Sequence, residues 1–222
     1  MGESANEIEV FKSEMKALFH MSDLGMLSYY LGIEVKQGRC SIELCQTAYA
    51  KKLQPVFDTN GDAPEAFQAE HFMTIDAMMY RSLIGSLWYL VYAWPDLAFA
   101  MGYLIRFMEE LKHEHMTAMR RLLQYVPGTI NYDLAHTRSD AELCLVGYSH
   151  SDMEGDVDDR KSTTGIIFFL GGNPVSWQSR KQRMVALSSC KAEYITGTAA
   201  ACQGVWLGRL LGDVLGAKTT PP

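Results

Sequence analysis

No run in this chain approaches 18 apolar residues, so no transmembrane helix is indicated. The N-terminus, MGESANEIEVFKSEM, lacks the basic-then-apolar order of a secretory signal. Asn6 also stands where N-myristoylation would need Ser or Thr. The five cysteines (Cys40, Cys45, Cys144, Cys190, Cys202) include no C-x-x-C pair. They read as reduced, structural thiols of an intracellular protein, cytoplasmic or nuclear, without a membrane partner. A basic excess is missing too. The net charge of −6 argues against a strong nonspecific nucleic-acid binder. Residues 1–141 hold 18 acids and 12 bases, whereas 142–222 hold 8 of each, so any attraction to nucleic acid must be local.

What is present is enough for a real core: 222 residues, 48% of them hydrophobic, with room for one large domain or two modest ones. The most informative stretch is LCLVGYSHSDMEGDVDDRKSTTGIIFFL, residues 143–170. Leu143–Tyr148 predicts a strand buried on both faces. His150, Asp152, Glu154, Asp156, Asp158 and Asp159 follow it closely, and carboxylates beyond a buried strand are a common way to hold metal ions against phosphate. Ser162–Leu170 predicts a second strand, Gly171–Pro174 a turn and Val175–Trp177 a short third strand. A long helix opens near Ser188.

Further upstream, Ile8, Phe11, Met15 and Leu18 mark one stripe of a helix, capped by Ser4 or Asn6. Tyr29–Lys36 and Ser41–Cys45 predict a hairpin joined by Gln37-Gly38-Arg39, and Thr47–Phe57 a helix. Asp58–Ile75 is polar and aperiodic, as in a linker. Met79–Tyr92 is apolar almost all round and predicts a buried helix. Pro95-Asp96 starts another through Met108, and His113–Tyr125 a third, stopped by Pro127-Gly128. His113 and His115 sit two apart and so face different sides of that helix; a shared zinc with His136 or His150 is not expected, and solvated histidines are. The 13 methionines show no heptad order and read as core filling.

Five motifs then stand in order: Gly147–Asp156 (GYSHSDMEGD), Asp158–Gly165 (DDRKSTTG), Ser176–Gln182 (SWQSRKQ), Ala186–Tyr194 (ALSSCKAEY) and Trp206–Leu211 (WLGRLL). Together they resemble the RNase H domain of copia-type LTR retrotransposon Pol polyproteins. Residues 1–57 resemble the same family's reverse transcriptase just after its palm catalytic box, and 77–137 its helical thumb and connection. The resemblance implies an α+β chain: a helical and hairpin segment, then a truncated RNase H-like α/β sheet of three strands plus a long helix. The implied divisions are 1–57, a linker at 58–76, 77–137 and 138–222. Trp94 and Pro127 replace bases usual in the family, and both changes lower the expectation of nucleic-acid contact.

The resemblance also defines the chemistry to look for. The polymerase aspartate pair would lie before residue 1, and no Y-x-D-D occurs in the chain, so polymerization by this chain alone is not expected. Family hybrid cleavage uses two magnesium ions roughly 4 Å apart, held by four carboxylates. The position of the first is His150, a neutral nitrogen donor poorly suited to a hard ion. Asp152 shares its face but lies about 6.6 Å along the strand, too far for simple exchange. Glu193 matches the helix acid, and the other two are expected to be missing. No occupied metal site is therefore expected.

Arg160, Lys161, Arg180, Lys181 and Arg183 are the candidate phosphate contacts, with a solvated face as the alternative. Trp94, Trp177 and Tyr148 are stacking candidates, and core packing explains them equally well. Three readings follow: an inactive Pol fragment, a weak or partner-completed RNA–DNA hybrid ribonuclease whose partner is another polyprotein chain, and a non-catalytic nucleic-acid or protein binding module. An uncovered edge at Leu143–Tyr148 would also promote self-association.

Overall fold

The computed structural model describes residues 5–57, 76–138 and 143–216. Six α-helices and two antiparallel sheets lie among them, a mixed α+β architecture. Helix α1 (Ala5–Leu18) forms where the stripe predicts, yet Phe11 and Leu18 remain exposed. Asn6 lies within α1 rather than capping it, and Ser4 is outside the described residues.

The predicted Tyr29–Lys36 strand is in fact two. Leu31 and Gly32 take positive φ values of 47° and 82°, which reverse the chain. Such left-handed residues let a tight turn match the twist of its flanking strands. Strand β1 (Tyr29–Tyr30) thus folds back on β2 (Ile33–Gln37), with Tyr30 opposite Ile33. β2 pairs with β3 (Ser41–Cys45), and the Gly38 N–H closes that hairpin on the Ser41 carbonyl at 2.7 Å. A strand that the sequence does not predict, β4 (Leu134–Thr137), adds to β3, placing His136 opposite Ile42.

Helix α2 (Thr47–Phe57) packs on α5 (His113–Thr129). Helix α3 (Ala77–Trp88) starts where Asp76 Oδ1 accepts the N–H groups of Met78 (2.8 Å) and Met79 (3.2 Å). The rest of the predicted linker, 58–75, lies outside the described residues. α3 is not apolar all round. It buries Tyr80, Leu83, Ile84 and Leu87, exposes Arg81, Ser82, Gly85 and Trp88, and tightens into a 3-10 turn at Tyr89–Tyr92. Helix α4 (Leu97–Leu104) likewise ends in a 3-10 turn, Ile105–Phe107.

Pro127 does not stop α5. It falls in the last turn, where the Thr129 hydroxyl donates to the carbonyls of Tyr125 (3.2 Å) and Val126 (3.3 Å) and so satisfies chain ends left open there. His115 is not solvated either. It is buried, stacks on Phe107 with ring centroids 3.6 Å apart, and accepts the Lys112 N–H through Nδ1. Burial, and then the Lys112 cation, push its pKa down, so the neutral ring is favoured. His113, on the other side of the helix, remains exposed.

Tyr80, Leu87, Leu90, Leu97, Met101, Leu104, Met119 and Leu123 fill one buried core, which also includes Trp94. Beside it stands the second sheet, in the order β5 (Leu145–Ser151), β6 (Thr163–Leu170), β7 (Asn173–Lys181). β7 is longer than predicted and begins through Pro174, which an edge strand tolerates because no ladder N–H is required there. Helix α6 (Ser189–Leu215) covers one face of this sheet; Phe168 of β6 lies against Gly147 of β5 and Gly204 of α6, where no larger side chain would fit easily. The other face meets the helical core. A Cβ on Gly102 would lie 2.8 Å from the Ser179 carbonyl oxygen, so α4 and β7 approach backbone to backbone. The Trp177 indole N–H donates to the Val91 carbonyl at 2.9 Å across the same junction.

Strand β5 departs from expectation. Val146 and Tyr148 are exposed rather than buried on both faces, because β5 is an outer strand and α6 screens only one side of it.

Candidate functional site

Glu193 is placed in the first turns of α6 by two devices. The Ser188 hydroxyl caps the helix by accepting the Lys191 N–H at 3.2 Å. The Gln182 side-chain amide, fully enclosed, donates to the Ala192 carbonyl at 3.0 Å and lies within bonding distance of the Ser151, Thr164 and Thr196 hydroxyls. Gln182 thereby ties β5, β6 and α6 together. In the sequence it is only the last residue of the SWQSRKQ motif, although a glutamine closing an otherwise basic run is a signal.

Glu193 Oε1 accepts the Ser151 main-chain N–H at 2.9 Å and lies 3.2 Å from His150 Nδ1. The end of β5 and the start of α6 are therefore adjacent, as the motifs imply. His150 itself is 82% exposed. Asp152 is engaged within the turn: its Oδ1 takes the Thr163 N–H, and its carboxylate fills the space where a side chain on Gly155 would go.

Of the remaining acids of the turn, Glu154, Asp156 and Asp159 pair with cations, whereas Asp158 is exposed. Asp156, only 8% exposed, accepts the N–H groups of Asp158 (3.0 Å) and Asp159 (3.4 Å) on Oδ1. Its Oδ2 meets Lys181 Nζ at 2.5 Å and Arg106 Nη1 at 3.4 Å. Arg106 comes from the turn after α4 and also donates to the Thr163 hydroxyl at 3.2 Å. Lys181 is shared with Asp159 at 2.9 Å, Asp159 pairs with Lys161 at 3.1 Å, and Arg160 pairs with Glu154. Burial pushes the Asp156 carboxyl up, but the Lys181 ammonium and the two turn amides outweigh it and hold the acid below its ordinary value. Burial opposes ionization of Asp159 as well, yet Lys181 and Lys161 bring it down to about 2. No sequence signal marks Arg106, since it lies 50 residues from its partner.

The five basic candidates thus divide. Arg160, Lys161 and Lys181 are engaged with acids, while Arg180 and Arg183 are exposed and make no ion pair among the described residues. The aromatic candidates divide too. Trp94 is core, Trp177 is anchored through its indole N–H, and Tyr148 stays exposed with its ring edge-on to Phe169. Two open grooves of about 350 and 340 Å³ flank Trp177, one between it and Trp88 and Tyr92, the other reaching Phe99, Tyr148 and His150. Among the described residues, no group of three or more His, Cys, Asp or Glu is arranged to hold a metal ion. No helix among them is long and apolar enough to cross a membrane.

Comparison with known proteins identifies the family. The family model described as reverse transcriptase (RNA-dependent DNA polymerase) matches residues 1–67. The chain is 34% identical, over 92% of its length, to the retrovirus-related Pol polyprotein from transposon RE1 of Arabidopsis thaliana. It is 33% identical, over 96% of its length, to that from transposon TNT 1-94 of Nicotiana tabacum. The chain belongs to the retrotransposon Pol polyprotein family. It spans 14% and 17% of the lengths of those two relatives. A further relative is the secreted RxLR effector protein 161 of Plasmopara viticola, 45% identical over 58% of this chain and 90% of that protein. No solved structure matches the chain. This Pol-family fragment is reverse transcriptase-like at its N-terminal end, where the matched residues include α1, the β2–β3 hairpin and α2.

Proposed function

We propose that residues 143–216 of this Pol fragment form an RNase H-type layer without a working hybrid-cleaving centre, and that its remaining contact with nucleic acid runs through Arg180 and Arg183. The donor set at the end of β5 carries this reading. Glu193 is a single carboxylate already bonded to the Ser151 N–H, its neighbour His150 is a nitrogen donor, and Asp152 is committed to the Thr163 N–H. Magnesium keeps much of its water shell but needs a carboxylate or two beside the substrate phosphate, and one engaged carboxylate next to a nitrogen donor does not fit a pair of such ions. No catalytic step is therefore assigned through a metal.

Incubation of a labelled RNA–DNA hybrid with the protein and magnesium or manganese tests the reading. The expected result is no cleavage above buffer, unchanged in Glu193→Ala and not restored by His150→Asp. Cleavage that disappears in Glu193→Ala would overturn it. The second reading, a ribonuclease completed by another chain, is favoured by the 3.2 Å approach of His150 to Glu193, which keeps the first-strand and helix positions together. On that reading His150→Asp raises cleavage.

The outer edge of β5 is proposed to mediate self-association. Its exposed Val146 and Tyr148 border main-chain groups that face no strand among the described residues. Light scattering is expected to show a mass that rises with concentration and that Val146→Lys lowers. A monomer throughout would count against the edge as an interface.

A further inference from the structure

We propose that the turn Asp152–Lys161 is an autoinhibitory element: its carboxylates occupy cations, Arg160 and Lys161 of the turn itself and Lys181 at the end of β7, that would otherwise engage nucleic-acid phosphate. This rests on the phosphate-contact reading above and adds a regulation to it. Four ion pairs support it. Glu154 holds Arg160, Asp159 holds both Lys161 and Lys181, and Asp156 holds Lys181. Each carboxylate presents to its cation the same chemistry as a phosphate oxygen, and being tethered it competes at high local concentration.

The turn cannot simply swing aside. Asp152 takes the Thr163 N–H, the Glu154 N–H donates to the Ser162 hydroxyl at 3.2 Å, and the Asp156 N–H donates to the Lys161 carbonyl at 3.2 Å. The Arg160 N–H returns to the Asp156 carbonyl at 2.9 Å, and Asp159 Oδ1 accepts the Lys161 N–H at 3.2 Å. A ligand must compete with these acids for each cation, so neutralizing an acid raises the affinity of its cation for phosphate. Arg160 is the one most readily released. Its side chain is 63% exposed, so losing Glu154 frees a guanidinium at the surface and leaves no buried charge. Lys181 is the opposite case, because its partner Asp156 is buried and structural.

The test is binding of a fluorescein-labelled RNA–DNA hybrid of mixed sequence, followed by anisotropy across a salt series, to the full chain and three variants. Glu154→Gln is expected to bind severalfold more tightly at low salt, with a salt slope steeper by about one, the signature of one added phosphate contact. Glu14→Gln, which removes an exposed acid on α1, is the control for net charge and is expected to leave the slope unchanged. Arg180→Ala/Arg183→Ala is expected to weaken wild-type binding and flatten its slope by about two. If Glu154→Gln matches wild type, or rises only as much as Glu14→Gln, masking is wrong. Masking fails in that case whether or not the double arginine variant loses affinity, and the double variant alone decides the phosphate-contact reading.

Discussion

Asp156→Ala is expected to lower the unfolding free energy by about 3 kcal/mol, read as a fall in urea midpoint at unchanged slope. A surface ion pair would give 1 kcal/mol at most, roughly. The difference lies in what the substitution leaves behind. The Asp156 side chain is 7% exposed, and Arg106 and Lys181 beside it are 13% and 24% exposed. Without the carboxylate, two largely buried cations face each other, and the N–H groups of Asp158 and Asp159 lose their acceptor. The effect stays near the lower end of the range for broken buried pairs because Lys181 retains Asp159. Asp156→Asn keeps an acceptor for the two amides and is expected to lose less. A loss below 1 kcal/mol in the alanine variant would show that the network does not bind the turn to the sheet.

The same carboxylates set an acid dependence. Both fold with pKa values below the ordinary carboxyl value of 3.8, Asp159 at about 2. The unfolded chain therefore takes up protons that the folded chain refuses as pH drops below that ordinary value. Their contribution is complete above it and is lost progressively toward pH 2. Asp156→Asn flattens that dependence without altering its direction.

How much of this is legible in the sequence depends on the range of the interactions. The order of three strands and a helix in 143–216 follows from local period and turn chemistry, whereas the adjacency of His150 and Glu193 is implied only by the family resemblance. What fails is set by tertiary position. Leu143–Tyr148 reads locally as a strand buried on both faces; an uncovered edge there is an expectation only of the family resemblance, because apolar content alone says nothing about position in the sheet. β4 is four residues long, too short for periodicity, and exists because Ser41–Leu44 offers it an edge. The Tyr29–Lys36 run looks continuous, yet Leu31, an unexpected left-handed residue, folds it in two. The acidic turn misleads in a different way. Its carboxylates resemble a metal cluster along the sequence, but Arg106 and Lys181, distant in sequence, neutralize Asp156 and Asp159 in the fold.

Tyr80→Ala is expected to have the largest single effect, about 4 kcal/mol, as large-to-small changes of buried aromatic residues do. Tyr80 has no solvent exposure, lies in the core formed by α3, α4 and α5, and donates its hydroxyl to the Leu104 carbonyl at 2.7 Å. Burial raises its pKa to about 12, so the donor form persists at every working pH. Tyr80→Phe removes only that bond and is expected to lower stability by about 1 kcal/mol, which separates the ring from the hydroxyl. Against a whole-domain stability of about 5–15 kcal/mol, the alanine variant is left marginal. The consequence extends beyond the helices. Leu104 ends α4, Arg106 lies two residues further on, and Arg106 is the link from the helical core to Asp156 and Thr163. A cavity at Tyr80 therefore loosens the residue that anchors the acidic turn. Hydrogen exchange is expected to show added opening at Asp156–Thr163 in Tyr80→Ala, and protection unchanged there would mean that the core and the sheet are stabilized independently.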